Sequence, residues 1–236
     1  MPVVGTRQSP ITFFQQPTLQ IVNPLGLLSI DYRPGQHYGE FEGHAGHANL
    51  VFKNCPFPEV RYQGRLFLLD RVHIHLGSEH RVHRSTESNF EVHLVHREDG
   101  KTLSDPKLVI GILYHHDATA QAGPALAQIN EALQQRLNAG GKLCSFRDTN
   151  TPRSMMLDPL GFFPLLPDGS GPDLVNWLHY EGSLTSDPYS EDVSWFVMNT
   201  ESAVKVGAFA ALEEYAEQEA RPVHALDRRV IVRSFA

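Results

Sequence analysis

Six of the thirteen histidines in the chain fall between positions 71 and 98, in "RVHIHLGSEHRVHRSTESNFEVHLVHRE". Successive strand residues point to opposite faces, so His73 and His75 share one face while Val72, Ile74 and Leu76 share the other. By the same count Glu91, His93 and Val95 lie on one face of "NFEVHLVH", with Phe90, Val92, Leu94 and His96 opposite. If the two stretches pair antiparallel, about 4.8 Å apart, His73, His75 and His93 converge on one point. Three neutral imidazoles at bond lengths of ~2.0–2.1 Å leave a fourth tetrahedral corner for water, which is the donor set of a catalytic zinc site. A single strand histidine is more often hydrogen-bonded or solvated. An H-x-H pair with a third histidine at strand spacing favours a metal. His80, His83 and His96 have other parities or loop positions and read as supporting, structural or solvated residues.

The elements that must position these groups are mostly strands. Apolar alternation recurs in "ANLVF", "RLFLLDRVHIHL", "NFEVHLVH", "KLVIGILYH", "VSWFVM" and "RRVIVRSF", which predicts a large, mostly antiparallel sheet. Helical spacing is clear twice. Over 124–138, Leu126, Ile129, Leu133 and Leu137 form a stripe behind Pro124 and before Gly140; over about 207–217, Phe209, Leu212 and Tyr215 do the same. The Pro-rich run 157–173 reads as a long surface loop, and the whole of 1–236 as a single domain.

Composition sets outer bounds. With 41% hydrophobic and 20% charged residues the chain is ordinary for a globular protein, and a net charge of −7 without a basic run argues against nucleic acid as a partner. No stretch reaches the ~18–20 apolar residues of a membrane span. The N-terminus lacks the pattern of a signal peptide, which points to the cytoplasm, or to secretion or the periplasm if a leader was trimmed. Cys55 and Cys144 allow at most one disulfide and read as free thiols.

A rival metal motif is His73-x-His75-x-x-x-Glu79, the cupin spacing in which the glutamate is itself a ligand. Its other marks are missing: Gly64 is too far upstream, and Arg97 stands four residues after His93. The fuller match lies elsewhere. "VHIHLGSEHRV" followed by "FEVHLVH" resembles the α-class carbonic anhydrases, and the likeness runs from "RQSPI" through "LDPLGFFP" and "GSLTSDP" to "RPVHALDRRVIVRSF". The resemblance implies a mainly β (α+β) fold, one domain around a twisted, mostly antiparallel central sheet of about ten strands with a few peripheral helices. It implies a zinc lyase converting CO2 and water to bicarbonate and a proton, as a monomer or homodimer. The alternative is a non-catalytic carbonic-anhydrase-like binding module.

By resemblance, His73, His75 and His93 are the zinc ligands, Glu79 and Thr185 the pair that aims the attacking hydroxide, and Glu91 the carboxylate that fixes the tautomer of His93, with His80 beside it. Val95, Val109, Leu184, Val193 and Trp195 correspond to the apolar wall that receives CO2, with Ser186 at its edge. In that family zinc lowers the pKa of bound water to about 7, so the released proton needs a carrier titrating near neutrality. "EGHAGHANLVF" offers His47 and, second, His44, with His179 as a further candidate. Departures from the family pattern are Leu76 for a tryptophan, Arg71 for a glutamine that bonds the first ligand, Asp187 in "TSDP", and Tyr189 where secreted members carry a cysteine. A cation beside a metal-bound imidazole is unfavourable, so Arg71 is expected to turn outward.

Overall fold

The computed structural model describes residues 5–21, 24–44, 47–53, 56–84, 87–102, 107–119, 123–143, 146, 150–205 and 209–235. In chain order the strands are β1 (Thr18–Gln20), β2 (Leu28–Asp31), β3 (His37–His44), β4 (His47–Phe52), β5 (Glu59–Tyr62), β6 (Arg65–Leu76) and β7 (Phe90–Glu98). They continue with β8 (Lys107–His116), β9 (Ser154–Leu157), β10 (Trp177–Gly182), β11 (Val193–Met198), β12 (Ser202–Val204) and β13 (Ile231–Arg233). The helices are α1 (Pro24–Leu27), α2 (Pro124–Asn138) and α3 (Ala210–Tyr215).

All the strands join one sheet whose central path runs β1-β13-β10-β11-β8-β7-β6-β4-β3-β9, with β12 on β8 and β2–β5 on β6. Most pairs are antiparallel; β1·β13, β11·β8 and β12·β8 are parallel. The expectation of a mostly antiparallel sheet with a few helices therefore holds. Among the described residues no helix is long and apolar enough to cross a membrane.

Both faces of the sheet centre are covered, so β8 is buried along Lys107–Tyr114. One face carries the larger core, including Val72, Ile74, Phe90, Val92, Leu94, Ile110, Ile112 and Phe196, sealed by the Leu126, Ile129 and Leu133 stripe of α2. The other carries a smaller cluster around Ile11, Val109, Leu113, Tyr180, Trp195 and Val197. The cavity described below opens on this second side.

One local irregularity decides which residues reach that cavity. Leu69 pairs with His96 and Arg71 with Val95, so Asp70 is an extra residue in β6. A bulge reverses the phase of a strand. Phe67 and Leu69 are buried in the larger core before it, and Val72 and Ile74 after it. His73 and His75 are thereby turned to the cavity side.

Sequence and structure part company in places. The segment 157–173 is not a surface loop: Leu157, Phe162 and Phe163 sit in the larger core, a 3-10 turn spans Pro159–Phe162, and the Tyr114 hydroxyl donates to the Phe162 carbonyl. Its apolar side chains outweigh the prolines. β10 was hidden because "WLHY" is buried on both faces and so shows no alternation. Near the C-terminus only Ile231–Arg233 of the expected strand pairs.

His96, on the core face of β7, donates Nδ1–H to the Leu108 carbonyl at 3.1 Å, and its Nε2 meets the Tyr32 hydroxyl. Burial pushes its pKa down from 6.5 to about 3. The unfolded chain takes up a proton there as pH drops below 6.5 and the folded chain does not until about 3, so stability falls with falling pH in that window. The cost reaches up to about 1.4 kcal/mol per pH unit. Urea unfolding between pH 6 and pH 4 should give His96→Leu a shallower dependence than wild type by up to that amount, whatever its absolute stability. Equal slopes would show that this histidine is not held neutral.

Candidate metal centre

Strand register brings the histidines together. His73 lies opposite His93 across β6 and β7, and His75 opposite Glu91. The ring centroids of His73 and His75 are 4.7 Å apart and those of His75 and His93 are 4.6 Å apart. All three line a cavity of about 470 Å³. Their ligand atoms fall in three tight groups, each with every separation within 4.8 Å: His73, His75 and Glu217; His75, Glu79 and His93; and His80, Glu91 and His93. His75 belongs to the first two and His93 to the last two, and each group includes a carboxylate.

The surroundings of each ring decide what it can do. Both ring nitrogens of His75 are buried without a hydrogen-bond partner, as is Glu79 Oε2, which lies 3.5 Å from His75 Nε2. Buried polar atoms are ordinarily satisfied. An imidazole 3% exposed with neither nitrogen engaged has the environment of a ligand, and the donor set fits a zinc ion. His93 donates Nε2–H to Glu91 Oε1 at 3.0 Å, which leaves its Nδ1 lone pair for a metal. His73 directs Nδ1 to Asn49 Oδ1 at 3.0 Å, and its Nε2 meets the Glu217 carboxylate. Burial, then the facing His93 and His73, pushes the pKa of His75 well down; burial likewise lowers that of His93. Neutral imidazoles are the form that binds metal.

Glu91 holds the centre in place. Its Oε2 accepts the backbone N–H groups of Glu79 and His80 at 2.8 Å each, and its Oε1 accepts His80 Nδ1–H at 2.7 Å. Burial alone would raise its pKa; His80 and His93 outweigh it and hold the carboxyl well below its usual range. His80 also bonds the Tyr180 hydroxyl at 2.8 Å, which makes it a support. Burial, then the nearby Glu91, pushes the Glu79 carboxyl up to about 8, opposed by the Thr185 hydroxyl and by the Arg221 backbone N–H, which donates to Glu79 Oε1 at 3.0 Å.

The cavity is also lined by Val95, Val109, Leu184, Thr185, Ser186, Asp187 and Trp195. Val193 is a correction: it is wholly buried in the smaller core cluster, behind the wall. Its neighbour Trp195, two residues along the same face, fills the wall instead. Arg71 does not turn outward; it lines the cavity and is held sideways by Asp70, its Nε donating to Oδ2 at 2.9 Å. The bond expected from a glutamine at that position is made by Asn49 of β4, a residue the motifs did not single out. Glu217 was missed too, since it falls between the recognised motifs. His179 faces elsewhere, its Nδ1 donating to the Trp195 carbonyl at 2.9 Å and its ring stacked on Phe196. The side chains of His44 and His47 lie outside the described residues, as do Cys55 and Cys144; the backbones of His44 and His47 pair at the end of the β3–β4 hairpin.

A histidine-walled pocket on one side of a large twisted sheet is the arrangement of the α-class carbonic anhydrases. The chain belongs to that family: the model for eukaryotic-type carbonic anhydrase matches residues 2–235. A carbonic anhydrase of Nostoc sp. is 27% identical over 222 residues, covering 94% of this chain and 66% of that one, so the chain spans about two thirds of that relative's length. One from Neisseria gonorrhoeae is 24% identical over 233 residues, covering 97% of this chain and 77% of the other. Among solved structures, a carbonic anhydrase of Chlamydomonas reinhardtii in complex with acetazolamide superposes with a TM-score of 0.72 at 20% identity, covering 99% of this chain and 92% of that one. Dioscorin complexed with ascorbate gives 0.73 at 21% identity, with 98% and 86% covered. These structural likenesses establish the fold.

Partners that orient a metal-bound histidine are typically worth ten- to a hundredfold in metal affinity. Asn49→Ala should therefore weaken zinc binding by roughly that factor while one zinc per chain still binds at saturation. Competition with a fluorescent chelator measures it; an unchanged dissociation constant would show that Asn49 does not orient His73.

Proposed function

We propose that the protein is a zinc-dependent carbonic anhydrase, hydrating CO2 reversibly to bicarbonate and a proton. The observation that supports this most strongly is His75, buried between His73 and His93 with both ring nitrogens unpartnered. His73, His75 and His93 hold the ion, His73 oriented by Asn49 and His93 by Glu91. A zinc ion bound there supplies a Lewis acid that makes water a competent nucleophile near neutral pH.

The chain's own groups do the rest. Val95, Val109, Leu184 and Trp195 give CO2, which has no net dipole, a wall that excludes competing water. Thr185 donates its hydroxyl proton to Glu79, so the threonine oxygen is left as an acceptor that orients the attacking O–H. That polarity needs Glu79 ionised, and a divalent charge a few Å away favours the carboxylate against the burial that raises its pKa. Proton export falls to a histidine of the 44–47 segment, His47 before His44.

One observation favours a second reading, a non-catalytic carbonic-anhydrase-like binding module: the Glu217 carboxylate sits against His73 Nε2.

Stopped-flow CO2 hydration on zinc-loaded protein separates the two. Thr185→Ala should lower the rate by roughly ten- to a thousandfold with zinc retained, the loss of one hydrogen bond positioned at the reacting centre. An unchanged rate would remove Thr185 from the mechanism, and a wild-type rate no higher than buffer would favour the binding module.

A further inference from the structure

We infer that Arg71 forms an anion subsite at the end of the apolar wall, where its guanidinium holds bicarbonate beside the metal centre. The inference rests on the carbonic anhydrase reading above and adds to it a residue at which this chain departs from the family pattern.

Strand register orders the cavity in rows. Asn49, His73 and His93 stand opposite one another across β4, β6 and β7. Two residues away along the strands, Arg71 stands opposite Val95, Val95 opposite Val109, and Val109 opposite Trp195. All four line the cavity, so Arg71 is the end member of the row that forms the CO2 wall. At ~3.4 Å per residue the two rows are about 7 Å apart, within the reach of an arginine side chain. Lys107, a further two residues along β8, also lines the cavity, with Asp192 3.8 Å from its Nζ. The cavity thus grades from imidazole through apolar to cationic.

Arg71 is aimed, and part of it is unused. Its Nε donates to Asp70 Oδ2 at 2.9 Å, and neither terminal nitrogen hydrogen-bonds to another residue. A guanidinium offers five N–H donors in a planar fork. With Asp70 on the Nε side, the edge formed by Nη1 and Nη2 remains for a second acceptor. The Asp70 carboxylate is itself shared: its Oδ1 lies 3.5 Å from Arg97 Nε, so two cations flank one carboxylate and the balance there is positive. Of the carboxylates that line the cavity, Glu217 is paired with His73 and Asp187 is exposed, and neither bonds Arg71. An arginine has no acceptor, so it cannot take the N–H of His73 that the family's glutamine takes. Asn49 Oδ1 does that at 3.0 Å, which leaves the arginine for another ligand.

The chemistry of the fork selects that ligand. Bicarbonate spreads one negative charge over two oxygens, the pattern that a guanidinium edge binds with two parallel N–H···O bonds. CO2 carries neither charge nor net dipole, so Arg71 does not hold it. The subsite therefore favours the anion over the gas, next to the wall that favours the gas.

The test uses the full chain with cobalt(II) in place of zinc, at a mildly alkaline pH where bicarbonate exceeds CO2. Visible absorption follows titration with bicarbonate and, separately, with imidazole as a neutral ligand. R71Q should bind bicarbonate about fivefold or more weakly than wild type, the lower end for charge-assisted hydrogen bonds, because the side chain is part-exposed. Its affinity for imidazole should be unchanged. R71K keeps the charge without the fork and should fall between the two. R71M serves as the neutral variant if R71Q does not fold. Equal bicarbonate affinities in wild type and the neutral variant would overturn the inference and leave the metal centre standing. A parallel loss of imidazole affinity would also overturn it, by showing that Arg71 shapes the site instead of holding an anion. A wild type that takes up no cobalt, or that takes up zinc and hydrates no CO2, would overturn the reading on which the subsite rests.

Discussion

The candidate centre depends on one extra residue in one strand. Were Asp70 an ordinary pleated residue instead of an extra one, the alternation of β6 would run on by residue number, and the register that buries Phe67 and Leu69 would carry Arg71, His73 and His75 into the same apolar core. The bulge lets a single long strand serve two faces, core first and cavity second. Asp70 is also used by its neighbours, receiving Arg71 Nε at 2.9 Å and lying 3.5 Å from Arg97 Nε. Those contacts draw two cations along the strand and away from the imidazoles. A charge that would oppose metal binding is thereby neutralised at the place where the strand changes phase.

What the bulge aims, Glu91 fixes. A wholly buried carboxylate is costly unless its lone pairs are satisfied, and Glu91 accepts two backbone N–H groups and two imidazole N–H groups. The same bonds set the tautomer of His93, hold the chain at Glu79 and lock His80 against Tyr180. Geometry and protonation of the centre thus share one cause. Asn49 does the corresponding work for His73 from the strand on the other side, so the sheet supports its outer histidines from β4 and β7. His75 in the middle has both ring nitrogens buried without a hydrogen-bond partner.

Much of this was legible in the residues. "RLFLLDRVHIHL" and "VSWFVM" give β6 and β11 end to end, and the stripe after Pro124 gives α2. Parity alone put His73, His75 and His93 on one side. The bulge was not legible, because Leu66, Phe67, Leu68 and Leu69 are all apolar and hide the phase before Asp70. The packing of 157–173 was masked by its prolines, which mark turns whether or not the turns are buried. Asn49 and Glu217 were invisible for a different reason. Neither belongs to a spacing pattern; each reaches the centre through tertiary register, Asn49 opposite His73 across β4 and β6, and Glu217 opposite His75 in an isolated bridge.

The account turns on a metal ion at His75, and anomalous diffraction at the zinc edge from crystals of zinc-loaded protein tests it most directly. It predicts one strong peak per chain within bonding distance, about 2.0–2.2 Å, of ring nitrogens from His73, His75 and His93. Fully occupied zinc elsewhere, or a map with no peak within reach of His75, would contradict it.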